Sequence, residues 1–462
     1  MFAAGLSCAR GSIMARPIRI VGRRDDELME LYLTNRKRGA FPDSMALSPE
    51  DMPVNVAIKA LDLAASSKSG VVMLKGNEPA IYPDLDALLA ACAKRNMSIF
   101  METSGLMSDG AKTLLVKSSV NLLWRVYRPE FYSPADMAEM RVNLQELLAA
   151  QLSVQFIGVA DDPAANYEFL PQLMAEFGVK KLIMRADCRT PLAQRRPLAA
   201  WCAAKAPVLL KDGVVLKIDC GMPSCLFSDE DYGRLAKIGM GYGQCVPYLG
   251  VLPDGRVCHC RHMAQLPGPQ VATFKDENAL RQYYFAVFRD LQWYLQPFAD
   301  CRQCQSLATN QCTGVSMATK AIAVQQNYAR LKAEIEQEGE NANGEEHQRR
   351  LWQMTEAALL LAFYADAIEC LEELRRLEPA NGDVHYLLAS AYWENGRLSE
   401  GEDEFRKAAR LVDNPLVPLG ELHRRLYANG NLIKARLLQE EMRRVKQSMD
   451  EKKAAGEKKT EA

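Results

Sequence analysis

Six cysteines carry the pattern in this chain that could do the most specific chemistry: Cys225, Cys245, Cys260, Cys301, Cys304 and Cys312. Thiolates are soft donors, so a group of them suits iron or zinc rather than magnesium or calcium. Fourteen residues separate Cys245 from Cys260. The turn Pro253-Asp254-Gly255 between them folds the chain back, so that both arms deliver sulfur to one place. Cys301 and Cys304 form a C-x2-C pair, and Cys312 stands two residues before a glycine. Cys220 and Cys258 are further candidates. Cys258, Cys260 and His262 beside the C-x2-C pair allow a tetrahedral zinc site of four cysteines, or of three cysteines and a histidine. Isolated Cys92, Cys202 and Cys370 fall on apolar helix faces and read as core thiols. His347, His385 and His423 fall at polar helical positions and are assigned no role.

Three loops form a second group. LTNRKRGAFPDS (Leu33–Ser44), LKGNEP (Leu74–Pro79) and ETSGLM (Glu102–Met107) each close a short apolar run. From about residue 28 to 220 such runs alternate with amphipathic stretches, which predicts parallel strands joined by crossover helices. The expected strands are 29–35, 70–76, 98–104, 120–127, 152–159 and 180–186. Six such units predict an α/β fold, an incomplete barrel or failing that an open doubly wound sheet. Either arrangement binds ligands beyond the carboxyl ends of its strands, which puts the three loops at one mouth.

In this order and at these strand ends, the loops resemble the start of the barrel of radical SAM enzymes. The cysteine-rich stretch resembles the SPASM or shorter twitch extension that follows such barrels. The resemblance implies a partial (β/α)6 barrel of radical SAM type, with Gly76, Glu78 and Pro79 matching the family's G-G-E-P turn, which meets the methionine amino group of S-adenosylmethionine (SAM). Asn77 stands at the second glycine and Lys75 precedes the turn. The family's first loop reads C-x3-C-x2-C; here those positions are Lys37, Phe41 and Ser44, and no displaced copy of the motif occurs in the chain. In the family these three thiolates hold a [4Fe-4S] cluster whose fourth iron takes SAM, so reductive cleavage needs all three. Lysine is normally protonated, phenylalanine has no donor atom and serine is a poor iron ligand at neutral pH. An active radical SAM enzyme is therefore not expected. Lys37 and Lys75 also add positive charge where the cofactor's ammonium would lie, which argues against SAM binding but suits an anion or another small molecule.

For the extension, the resemblance implies that the six cysteines ligate an auxiliary [4Fe-4S] cluster, which takes four donors. The C-x3-C pair that completes a two-cluster SPASM domain is missing after Cys312, where Ser316 stands at the position, so one cluster is expected rather than two. Which four cysteines serve stays open, as does zinc in place of iron.

Beyond an acidic linker, EGENANGEE at 338–346, the chain repeats itself. Asn395-Gly396 recurs as Asn429-Gly430 at a spacing of 34, and Ala367, Gly401 and Ala435 keep the same spacing. Small residues at that period, where paired helices cross, are the tetratricopeptide (TPR) signature, and such stacks hold protein partners. A helical cap that only stabilises its neighbour is the plainer alternative. The expected divisions are an N-terminal segment (1–27), the barrel (28–212), a small cysteine-rich domain (213–320), a helix and linker (321–347), a TPR solenoid (348–448) and a disordered charged tail (449–462).

With 57 basic and 58 acidic side chains in 462 residues, no overall field favours nucleic acid. No run approaches the roughly 18 apolar residues of a spanning helix, and the chain reads as cytoplasmic, with its cysteines reduced. Three functions fit. One is a catalytically degenerate radical SAM/SPASM-like protein that binds or regulates a partner, even an active radical SAM enzyme, in peptide or cofactor maturation. Another is an enzyme of altered chemistry, using the auxiliary metal or Lys37 with Glu78. The third is a TPR adaptor on an inert scaffold.

Overall fold

A computed structural model describes residues 28–39, 41–42, 50–66, 70–187, 190, 192–219, 222–237, 249–258, 263–264, 268–276, 278–280, 317–338 and 344–460. The chain divides into two compact units, residues 1–322 and 323–462.

In the first unit, strands and helices alternate as β1 (Leu28–Thr34), α1 (Val54–Ser66), β2 (Val71–Gly76), α2 (Leu85–Lys94), β3 (Ser98–Thr103), α3 (Asp109–Lys117) and β4 (Asn121–Val126). They continue as α4 (Pro134–Ala149), β5 (Val154–Ala160), α5 (Phe169–Phe177), β6 (Lys181–Ala186), α6 (Arg196–Lys211), β7 (Val215–Ile218) and α7 (Asp229–Lys237). Local chemistry sets the boundaries: the Ser108 and Ser133 hydroxyls accept the first free amides of α3 and α4, and Pro134 opens α4 where no N–H is needed. The strands are buried on both faces because helices cover one side and side chains fill the other.

Strand order is β7-β6-β5-β4-β3-β2-β1-β8-β9, with β8 (Leu249–Val251) and β9 (Val257–Cys258) forming the final hairpin. A doubly wound sheet reverses order at a switch point. Here β1 to β7 lie in chain order and are all parallel, so right-handed crossovers put every helix on one side and the sheet curls as the wall of an open barrel. The core is continuous from Met29, Leu31 and Leu33 to Ile218.

Two expectations change. The sheet does not stop at 212, since β7 pairs with β6 through residues 215–218; these four residues are too short a run to stand out in sequence. Nor is the region from 213 a wholly detached domain. The expected PDG turn does make a hairpin, with Gly255 at φ +82°, but its first strand pairs in parallel with β1.

The second unit is helical. It contains most of α8 (Met317–Glu338), then α9 (Glu345–Leu360), α10 (Tyr364–Leu377), α11 (Gly382–Glu394), α12 (Leu398–Leu411), α13 (Leu416–Ala428) and α14 (Leu432–Thr460). The starts of α10, α12 and α14 are 34 residues apart. Ala367 and Ala435 are fully packed, and a Cβ on Gly401 would lie 3.0 Å from the Ala389 carbonyl, which is why the crossing positions are small. α8 is more than a lead-in to these repeats. Its Leu331 enters their core, and Asp366 of α10 accepts hydrogen bonds from Tyr328 (2.8 Å) and Lys332 (2.9 Å). The acidic linker ends as helix, with Glu345 and Glu346 in the first turn of α9, where carboxylates complement the helix dipole. At the other end α14 runs through 449–460, where a disordered tail is expected; Lys, Glu and Ala there are strong helix formers.

Candidate functional site

The mouth is built from the ends of β1, β2 and β3. Gly76 adopts φ +137°, and an added Cβ would meet the Thr34 carbonyl at 2.6 Å, so only glycine lets β2 pass this close to β1. Asn77, in place of a second glycine, ties the two strand ends together: its side-chain NH2 donates to Asn35 O (2.9 Å) and Asn35 Oδ1 (2.7 Å). Arg125 of β4 donates to the Asn77 carbonyl from inside the barrel.

Glu78 is fully buried and already answered by its own chain. Oε1 accepts from Thr103 Oγ1 (2.7 Å) and from the Ala80 amide (3.3 Å). Oε2 accepts from the Ser104 amide (2.8 Å) and Ser104 Oγ (2.5 Å). A carboxylate offers about four lone-pair sites, and four donors meet it here. Pro79 begins the short 3-10 turn that Glu78 caps.

Among the three substituted loop positions, Lys37 is exposed, Phe41 is buried and Ser44 lies outside the described residues. Phe41 stacks on Tyr127, which directly follows β4, centroids 4.2 Å apart and planes within 6°, with Tyr132 edge-on at 5.2 Å. Arg38 anchors the same loop to α4 through a bidentate pair with Glu139 (2.7 and 2.9 Å). The loop is thus held by aromatic packing and an ion pair. Lys37 and Glu78 share no contact that would make them a catalytic pair.

Sequence reasoning missed the barrel's interior. Strand register and two-residue periodicity put Glu30 and Tyr32 of β1, Lys75 of β2, Glu102 of β3, Arg125 of β4 and Arg185 of β6 on one face of the sheet. They form a chain. Tyr32 donates to Glu30 (2.6 Å), Lys75 bridges Glu30 (2.5 Å) and Glu102 (3.2 Å), and Arg185 grips both oxygens of Glu102 (2.8 and 2.9 Å) and reaches Asp219 (2.7 Å). β3 and β6 are three strands apart, roughly 14 Å in a flat sheet, so the Glu102–Arg185 bridge spans the hollow of the curl. Burial works against the Lys75 ammonium, but Glu102 and Glu30 more than offset it and hold its pKa above the ordinary lysine value. Arg185 follows the same balance and is pushed further up. Lys75 therefore offers no neutral amine for catalysis, and its charge is paired with Glu30 and Glu102 inside the barrel rather than free at the mouth. The signal was present in sequence: one charged residue interrupts each run that otherwise reads as doubly buried strand, in MELYLT, VMLKG, FMETS, LLWRVY and IMRA.

Of the six proposed metal cysteines the structure describes Cys225, which is exposed in a short 3-10 turn; Cys245, Cys260, Cys301, Cys304 and Cys312 lie outside the described residues, as do Cys220 and His262. Cys258, in β9, packs with Tyr32, Leu252 and Ala264. No group of three or more metal-binding side chains occurs among the described residues. Cys92, Cys202 and Cys370 are buried, which pushes the Cys92 and Cys370 thiols up to about 12 and Cys202 higher still. His385, expected at a polar position, is instead buried against Glu404 (2.5 Å) and the Pro379 carbonyl (3.0 Å).

The fold and site together define an open α/β barrel joined to a helical repeat unit. Residues 364–417 match the family model for the tetratricopeptide repeat (TPR_19), which covers α10 to the start of α13. No curated protein matches the chain. Solved structures similar to it include Streptococcus suis SuiB, at 14% identity and TM-score 0.43, over 54% of this chain and 64% of that one. This chain thus spans less than two thirds of that structure. SuiB bound to its precursor peptide SuiA aligns at 13% identity and TM-score 0.46, over 63% and 74%. Native anSMEcpe with bound AdoMet aligns at 12% identity and TM-score 0.46, over 73% and 99%. These likenesses carry no conclusion about this chain's chemistry. Among the described residues no helix is long and apolar enough to cross a membrane.

Proposed function

We propose that this chain is a catalytically silent relative of radical SAM/SPASM proteins that works in the cytoplasm as a binding or regulatory partner in peptide or cofactor maturation. Its TPR helices supply the docking surface. The observation that carries this reading is the double occupation of the mouth: Phe41 fills a ligand position by stacking on Tyr127, and Glu78 meets four donors of its own chain. A cofactor ammonium at Glu78 would have to displace those donors, each loss costing about 0.5–1.5 kcal/mol net. The interior ion chain further supports a rigid scaffold in place of a reaction cavity. The cysteines from 225 to 312 are proposed to hold one auxiliary [4Fe-4S] cluster, with zinc as the alternative metal on the same soft donors.

The test is anaerobic reconstitution of the full chain with iron and sulfide, followed by reduction with SAM present. The expected result is about four irons per chain, no 5′-deoxyadenosine and no change in the cluster's electron paramagnetic resonance spectrum when SAM is added. A second, SAM-responsive cluster signal would overturn the reading.

A further inference from the structure

Helix α14 buries one side, and its opposite side is apolar where the repeat calls for polar residues. At 3.6 residues per turn, Ala435, Leu438, Met442 and Val445 share the side that packs into the repeat core. Ile433 and Leu437 project from the far side, 77% and 61% exposed. One repeat earlier the same positions of α12 are Ser399 and Asp403, and one before that they are Ala365 and Glu369 of α10. Repeat packing therefore does not require these residues to be apolar, and a polar pair would serve solubility better.

Charge along the helix leans positive on one side, where three arginines outnumber Glu440, which lies one turn from each of them. Arg436 and Arg443 edge the apolar pair on one side, and Arg444 follows Leu437 two turns on. All three are exposed, and none forms an ion pair among the described residues. The other edge is neutralised, Lys434 by Glu402 (2.7 Å) and Glu441 by Arg406 (3.0 Å).

We propose that this face docks an amphipathic helix of a partner protein, one that presents large apolar side chains a turn apart and carries Asp or Glu along the edge beside Arg436 and Arg443. The apolar pair supplies the buried contact and the guanidinium forks fix the helix by pairing with carboxylates. A second copy of this chain is disfavoured, because a two-fold contact brings the same positive patch against itself. The surface belongs to the helical unit alone, so a failed docking test leaves the barrel reading standing.

Fluorescence anisotropy on the full chain decides it, using a labelled helical peptide of about 18 residues with leucines spaced i, i+4 and glutamates along one edge, and a matched peptide with lysines instead. The acidic peptide is expected to bind. Leu437→Asp and the double variant Arg436→Glu/Arg443→Glu should each weaken it about tenfold or more, and the lysine peptide should bind about tenfold more weakly to the unaltered chain. All three substituted positions are exposed, so circular dichroism should show folded variants. Equal binding of both peptides, or of neither, overturns the proposal. So does a dimer of the unaltered chain, seen by light scattering, that Leu437→Asp converts to monomer.

Discussion

Glu78 shows how a residue can keep a motif's identity while its interactions point elsewhere. All of its observed partners donate, so Glu78→Gln turns an acceptor into a donor facing the Ser104 or Thr103 donors. The expected cost is about 1–3 kcal/mol, read as a lowered urea midpoint for the barrel's Trp124 fluorescence. An unchanged midpoint would mean that the four bonds contribute nothing net. Lys75 has more at stake, because Lys75→Met leaves Glu30 and Glu102 buried with one cation fewer, a loss of about 3–5 kcal/mol. Its pKa is raised on folding, so its contribution is fully present below the unfolded lysine value of about 10.4 and fades only as pH climbs through the higher folded value. Between pH 7 and 9.5 this ion pair should add no pH dependence to barrel unfolding, and a drop in the wild type that Lys75→Met removes would contradict that.

At the scale of elements, strands and helices were legible because period-two and period-3.6 patterns are local. The register that aligns Glu30, Lys75, Glu102 and Arg185 on one face was not, since it depends on pairing between distant segments. His385 and Glu404 show the same gap: each looks like an ordinary polar helix residue, yet α11 and α12 bury them together. Burial works against the Glu404 carboxylate, but hydrogen bonds from Lys407 and His385 more than offset it, so its pKa falls below the ordinary glutamate value. A depressed carboxylate contributes stability above its unfolded pKa and loses it as pH falls through the folded one. The helical unit should therefore melt at lower temperature as pH drops below about 4.3, and Glu404→Gln should flatten that slope in circular dichroism melts taken between pH 7 and pH 3.

Taken whole, the molecule's period-34 helices and its open barrel could be read from sequence, because both are made of repeated local units. Attachment of the PDG hairpin to β1 could not, for three residues of β8 carry too little pattern to name their neighbour. That attachment matters for work on the cysteines. β8 occupies the hydrogen-bonding edge that β1 would otherwise present, and β9 ends the sheet after only two residues. An uncovered parallel edge recruits other chains. On the proposal that Cys245 and Cys260 on either side of the hairpin help hold a cluster, replacing both with serine is expected to shift the protein into inclusion bodies, and an unchanged soluble yield would count against that proposal. The described hairpin covers the β1 edge, so solubility is the first property in which its loss would be read.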